Sequence, residues 1–146
     1  MGILRPTFSI SAAGLAPAAL VWERYTRPAL WSTWSPQIAR VDCVDEVIRA
    51  GSTGVVHAIH PTLGLKIPFE VTDLDEASMD WAWNARLPLG VTLHLRHLVE
   101  TVPGAESVPG VRGSSRTRLW VTGPAPIALG YLPVAQLALR ALVRQG

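Results

Sequence analysis

One histidine and two tryptophans are the side chains best placed for chemistry. In the run from Val91 to Glu100, the residues Val91, Leu93, Leu95, His97 and Val99 alternate with Thr92, His94, Arg96 and Glu100. On a strand the first set shares one face, which leaves His97 as the one titratable group in an apolar row. An imidazole there could act as a general acid or base, and its plainer reading is a hydrogen-bonded core histidine. Trp81 and Trp83 share a face with Ala85, opposite Asp80, Asn84 and Arg86. They suit the walls of an apolar pocket as well as ordinary core. Ile67, Phe69 and Val71 form a third inward row, opposite Lys66 and Glu70.

Other chemistries find little support. His57 and His60, and again His94 and His97, are three apart, but on strands an odd offset sends the two rings to opposite faces. No metal site is expected. Cys43 stands alone, which excludes an internal disulfide and suits a small buried residue in a reducing compartment. A glycine-flanked nucleophilic serine, a phosphate loop and a dinucleotide fingerprint are all missing, so no cofactor is expected.

The elements that must position these residues follow from period and punctuation. Strand-like runs fall at 7–11, 38–48, 53–60, 65–75, 78–87, 91–102 and 116–122, separated by turns at Gly51, 61–64, 75–77 and 88–90. Connections this short favour neighbouring antiparallel strands. The loop 103–115, rich in Gly and Pro, is longer and is expected to be mobile. Two short helices are expected between the first two strands. One covers 18–25 behind Pro17, and one lies between Pro28 and Trp34, with Pro36 ending it.

After Gly123 the pattern reverts to a helix. Ile127, Tyr131, Val134, Ala138 and Ala141 recur at three and four, and Leu137 and Leu142 widen the stripe. Pro133 removes a backbone donor, which predicts a break or kink near 130–133 and a main closing helix over 133–144. A curved antiparallel sheet closed by one helix leaves an internal apolar pocket. The inward rows nominate Trp81, Trp83, Leu93, Leu95, Phe69 and Ile67 for its wall, and the helical stripe nominates Val134 and Leu137.

The chain of 146 residues fits one domain, 1–146. Apolar types make up 49% and charged types 16%, so some apolar surface must line a cavity or stay exposed. Twelve arginines and one lysine leave a net charge of only +2, and the closest grouping, Arg112, Arg116 and Arg118, is no basic run. Nucleic acid is therefore not the expected partner. Ser9, Ser11, Gly14 and Pro17 interrupt the apolar N-terminal stretch, which argues against a signal peptide. Pro133, Gln136 and Arg140 interrupt the C-terminal one, so no membrane insertion is expected and the cytoplasm is the expected location.

The ordered set of motifs resembles the SRPBCC superfamily, the START-like helix-grip proteins that include polyketide cyclases. The resemblance rests on VWERYTRPALWSTWSP (21–36), the Gly51 to Gly54 turn, VTDLDE (71–76), Trp81, Trp83 and TRLWVTGP (117–124), and it spans about 7–144. It implies an α+β fold in which a seven-stranded curved antiparallel sheet wraps around a long C-terminal helix, with a cavity for a hydrophobic small molecule between them. It also implies two functions of different kinds. One is a cyclase or dehydratase acting on a lipophilic intermediate, with His97 as the catalytic acid or base. The other is a carrier or sensor that performs no chemistry on its ligand.

Overall fold

The computed structural model describes residues 5–59, 64–102 and 114–145. Strand β1 (Thr7–Gly14) leads into helix α1 (Ala18–Thr26), a 3-10 turn (Pro28–Leu30) and a single helical turn, α2 (Trp31–Trp34). Strands β2 (Ile38–Cys43), β3 (Thr53–Ala58), β4 (Lys66–Asp75), β5 (Asp80–Arg86), β6 (Thr92–Thr101) and β7 (Ser115–Thr122) follow, and helix α3 (Ala125–Leu142) closes the chain. All seven strands form one antiparallel sheet in the order β1-β7-β6-β5-β4-β3-β2. Consecutive strands from β2 to β7 are neighbours in a meander, with short turns from β4 to β6 and a longer connection between β6 and β7, and β1 returns to pair with β7. This is the helix-grip arrangement, with α3 laid along the inner face of the sheet.

Local chemistry sets several of these boundaries. Pro28 cannot continue α1, and Arg27 before it is extended at φ −110°, which turns the chain into the 3-10 turn. Irregular pairing between Val71 and Asp73 brings Leu74 opposite Trp81 and bends β4. Residues expected to prolong β2 to 48 instead leave the sheet after Cys43. The Asp45 carboxylate accepts the Ser52 hydroxyl at 2.6 Å, and Ile48 donates its N–H to the Thr26 carbonyl at 2.8 Å while burying its side chain. The loop expected to be mobile at 103–115 lies almost wholly outside the described residues, as does His60.

Helix α3 is unbroken. Of the break or kink expected near 130–133, the break does not occur: the Pro133 ring sits on the exposed side of the helix, where water can solvate the Leu129 carbonyl that it leaves without a donor. Uninterrupted, α3 is long and apolar enough by length and composition to cross a membrane, which the reading of a broken helix had missed. In the fold it packs against β1, β7 and α2, burying Ala128, Ala135, Ala138, Leu139 and Leu142. Its C-terminal end is pinned in two ways. Arg24 donates to the carbonyls of Leu142 (2.6 Å) and Arg144 (2.7 Å), and the Ala16 N–H donates to the Val143 carbonyl at 3.0 Å. Gly14 permits this closure, since a Cβ there would lie 2.3 Å from the Val143 carbonyl oxygen.

Candidate functional site

Between the sheet and α3 lies a cavity of about 290 Å³. Strands β5 and β6 supply its floor through Trp81, Trp83, Ala85, Leu93, Leu95 and His97. Val56, Ala58 and Ile67 extend the floor across β3 and β4, while Tyr131, Val134, Ala135 and Ala138 of α3 form the opposite wall. Ile127 and Gly130 line the cavity and are also exposed, so it reaches the surface beside the N-terminal half of α3. None of the described lining residues is Asp, Glu, Lys or Arg. An engineered apolar cavity of roughly 150 Å³ holds one benzene ring, so this volume suits roughly two rings or a chain of similar bulk.

An aromatic row dominates the floor. Trp81 lies opposite His97 in the β5–β6 register, and their rings stack at 4.7 Å and 12°. Trp83 stacks on Trp81 at 5.8 Å, also at 12°. Trp31 of α2 closes over both indoles at 5.8 and 5.4 Å, its own N–H fixed to the Tyr25 carbonyl at 2.8 Å. Trp34 is held the same way by the Arg24 carbonyl at 3.1 Å. These two indoles of the short helical segment thus line the cavity as well.

His97 is held in one state. The Trp83 Nε1–H donates to His97 Nε2 at 2.9 Å, so the imidazole proton resides on Nδ1. Burial without a nearby anion pushes the imidazole pKa down from 6.5 to about 3. Tyr25 tilts against the same ring at 4.7 Å and hydrogen-bonds to Thr117; burial raises its pKa, so it brings no negative charge. At neutral pH His97 is therefore an uncharged donor whose basic nitrogen is already engaged. A conjugate acid near 3 makes it a feeble general base, and no imidazolium is present to act as an acid. Tyr131 is also uncharged, its hydroxyl pushed up to about 12 by burial.

The remaining nominated residues divide. Leu93, Leu95, Ile67 and Val134 line the cavity, as do Trp81, Trp83 and His97. Phe69 does not: it is buried behind the wall, with Trp31 tilted over it at 5.3 Å and Trp83 edge-on at 5.7 Å. Leu137 does not line the cavity and is 57% exposed, because it sits on the flank of α3, roughly 105° around the helix from the centre of the cavity face. Tyr131 and Gln37 line the cavity and were not nominated. The helical stripe carried Tyr131 in register with Val134, whereas Gln37 sits in a connection with no period to reveal it.

The outer face of the sheet is polar and internally matched. His94 Nδ1 meets Asn84 Oδ1 at 2.8 Å, His57 Nε2 meets Asp42 at 2.6 Å, and Arg96 holds Asp80 through two contacts of 3.0 and 2.6 Å while stacking on Trp120. His94 and His97 thus lie on opposite faces. Among the described residues no group of three or more His, Cys, Asp or Glu side chains is arranged to hold a metal.

The sequence matches the family described as polyketide cyclase / dehydrase and lipid transport over residues 6–146. The chain belongs to that family. Membership suggests a hydrophobic ligand and fits the apolar cavity, while the family description spans both catalysis and transport. A similar solved structure is the crystal structure of Ara h 8.0201, at 15% identity and a TM-score of 0.72, covering 94% of this chain and 95% of that one. At that identity the likeness concerns the fold alone. As many as 225 solved chains match, so the helix grip by itself selects no reaction. No curated protein matches the sequence.

Proposed function

We propose that the protein binds a hydrophobic small molecule of about two-ring size in this cavity and releases it unchanged, as a carrier or sensor. The observation that carries the reading is a wall without charged side chains, in which the one imidazole is held neutral with its basic nitrogen already bonded to Trp83. Burying apolar surface drives such binding at roughly 25 cal/mol per Å². Catalysis of proton transfer would need groups that change charge near neutral pH, and neither His97 nor Tyr131 does so.

A second reading, cyclisation or dehydration of a bound polyketide-like chain, draws on the free Nδ1–H of His97. A neutral imidazole can polarise a carbonyl without titrating, and tight walls can hold a reactive conformer. Native mass spectrometry of protein purified from its own host, followed by extraction and re-incubation of the bound molecule, separates the two. Recovery of the same molecule at one per chain supports the carrier. Its consumption in the presence of protein, and not in buffer or with His97→Phe, would replace that reading with the catalytic one.

A further inference from the structure

The turn between β5 and β6 carries two features that cost stability and return nothing within the chain. Leu89 is fully exposed, at 100%, and its backbone lies at φ 64°, a left-handed conformation that suits Gly or Asn and strains a leucine. Gly90 follows at φ 75°, and the Leu87 N–H donates to the Val91 carbonyl at 2.7 Å to close the turn. Asn-Gly is the relaxed pair for two such residues in succession. The strain therefore holds an apolar side chain out in solvent.

This turn stands at the mouth of the cavity, which Leu87, Leu93 and Ile127 line together. Strand β7 ends at Thr122 opposite His94, so α3 starts at the same end and presents the exposed Ile127 and Leu129 there. Cations surround the tip. Arg86 lies opposite Thr92, Arg5 donates to the Thr92 carbonyl at 2.7 Å, and Lys66 opens the neighbouring strand β4. All three are exposed, and none forms an ion pair among the described residues. Asp42 on β2 is already held by His57 at 2.6 Å and Arg40 at 3.6 Å. The far end of the β4–β5 hairpin carries Asp73, Asp75, Glu76 and Asp80 instead, so a chain of net charge only +2 is strongly polarised along the strands.

We infer that the mouth end docks on an anionic lipid surface, with Leu89 inserted among the acyl chains and Arg5, Lys66 and Arg86 on the headgroup phosphates. An apolar tip ringed by unpaired cations gains at such an interface on both counts. Two copies set mouth to mouth would place like charge against like charge. Such docking does not depend on whether the cavity releases its ligand unchanged.

The full chain is mixed at pH 7 with vesicles of phosphatidylcholine alone and with about 30% phosphatidylserine, and partitioning is read by co-sedimentation. Binding at least about tenfold stronger to the anionic vesicles, and falling as salt rises, is expected. Leu89→Asn relaxes the turn, so its urea midpoint should hold or rise while vesicle binding falls about tenfold. Lys66→Gln and Arg86→Gln should each weaken binding about fivefold. No vesicle binding, equal binding to the two vesicle types, or undiminished binding by Leu89→Asn each overturns the inference. So does self-association that is lost in Leu89→Asn, read by sedimentation velocity without vesicles, because the tip would then seat on the acidic end of a second copy. The cavity is read separately with 2-acetylnaphthalene, a neutral two-ring probe expected to bind Leu89→Asn and the unmodified protein equally. Loss of the probe in the variant alone would overturn the docking role of the tip. Its failure to bind either protein removes the carrier reading and leaves docking to be decided by the vesicles.

Discussion

Lowering the pH from 7 to 5 is expected to remove about 2 kcal/mol of stability through His97 alone. The imidazole pKa lies near 3 in the folded chain and near 6.5 in an ordinary environment, so between these values the unfolded chain takes up a proton that the folded chain refuses. The contribution is fully present above pH 6.5 and is lost as the pH falls toward 3. Each unit is worth about 1.4 kcal/mol, which gives about 2 kcal/mol over the 1.5 units from 6.5 to 5. The cause is burial: Tyr25, Trp81 and Trp83 surround the ring, and none offers a negative charge. Urea midpoints of the unmodified protein and of His97→Phe at pH 7 and 5 read the effect. His57, His94 and the carboxylates are common to both proteins and cancel in the difference. The substitution also strands the Trp83 N–H while removing the unpaired Nδ1–H, so its own cost at pH 7 is small. Equal acid losses in the two proteins would refute the reasoning, because His97 would then titrate freely in the folded state.

Three further outcomes check the fold and the wall. Pro133→Ala restores the donor to the Leu129 carbonyl within a continuous helix and should raise stability by about 1–2 kcal/mol in urea unfolding; a loss would mean that the chain needs a break there. Gly14→Ala forces a Cβ to 2.3 Å from the Val143 carbonyl oxygen and should cost about 2 kcal/mol, whereas an unchanged urea midpoint would show that the C-terminus is not clamped at β1. Leu137→Asp should change stability and 2-acetylnaphthalene affinity by less than about 0.5 kcal/mol, while Val134→Asp abolishes the binding; fluorescence titration showing the reverse would invert the assigned faces of α3.

The inner face of the sheet was legible wherever a period of two ran without interruption. Strands β5 and β6 pair in register from Asp80↔Leu98 to Arg86↔Thr92, so alternation placed Trp81, Trp83, Leu93, Leu95 and His97 on one side. On α3 the same logic was less selective. A helix hydrophobic beyond its buried stripe hides which leucine points inward, and Leu137 was read onto the cavity face although it lies in the open. Pro133 was read as a break because sequence shows the lost donor and not the solvent that satisfies the freed carbonyl. Phe69 has the right parity on β4 and still misses the wall, since Trp31 from another element covers it, a contact that no local pattern encodes. The state of His97 was also beyond the sequence. It depends on one nitrogen meeting the Trp83 indole and on the depth of burial, both of which are tertiary.

The most direct measurement compares 2-acetylnaphthalene binding to the unmodified protein and to Ala135→Leu, which pushes extra methyl groups from α3 into the cavity and leaves the outer surface alone. Saturable binding of one molecule per chain, lost or weakened at least about tenfold in a variant that unfolds at the same or a higher urea concentration, is the expected result. Equal binding by both proteins would place the ligand elsewhere, and no binding by either would contradict the cavity as the working part of the molecule.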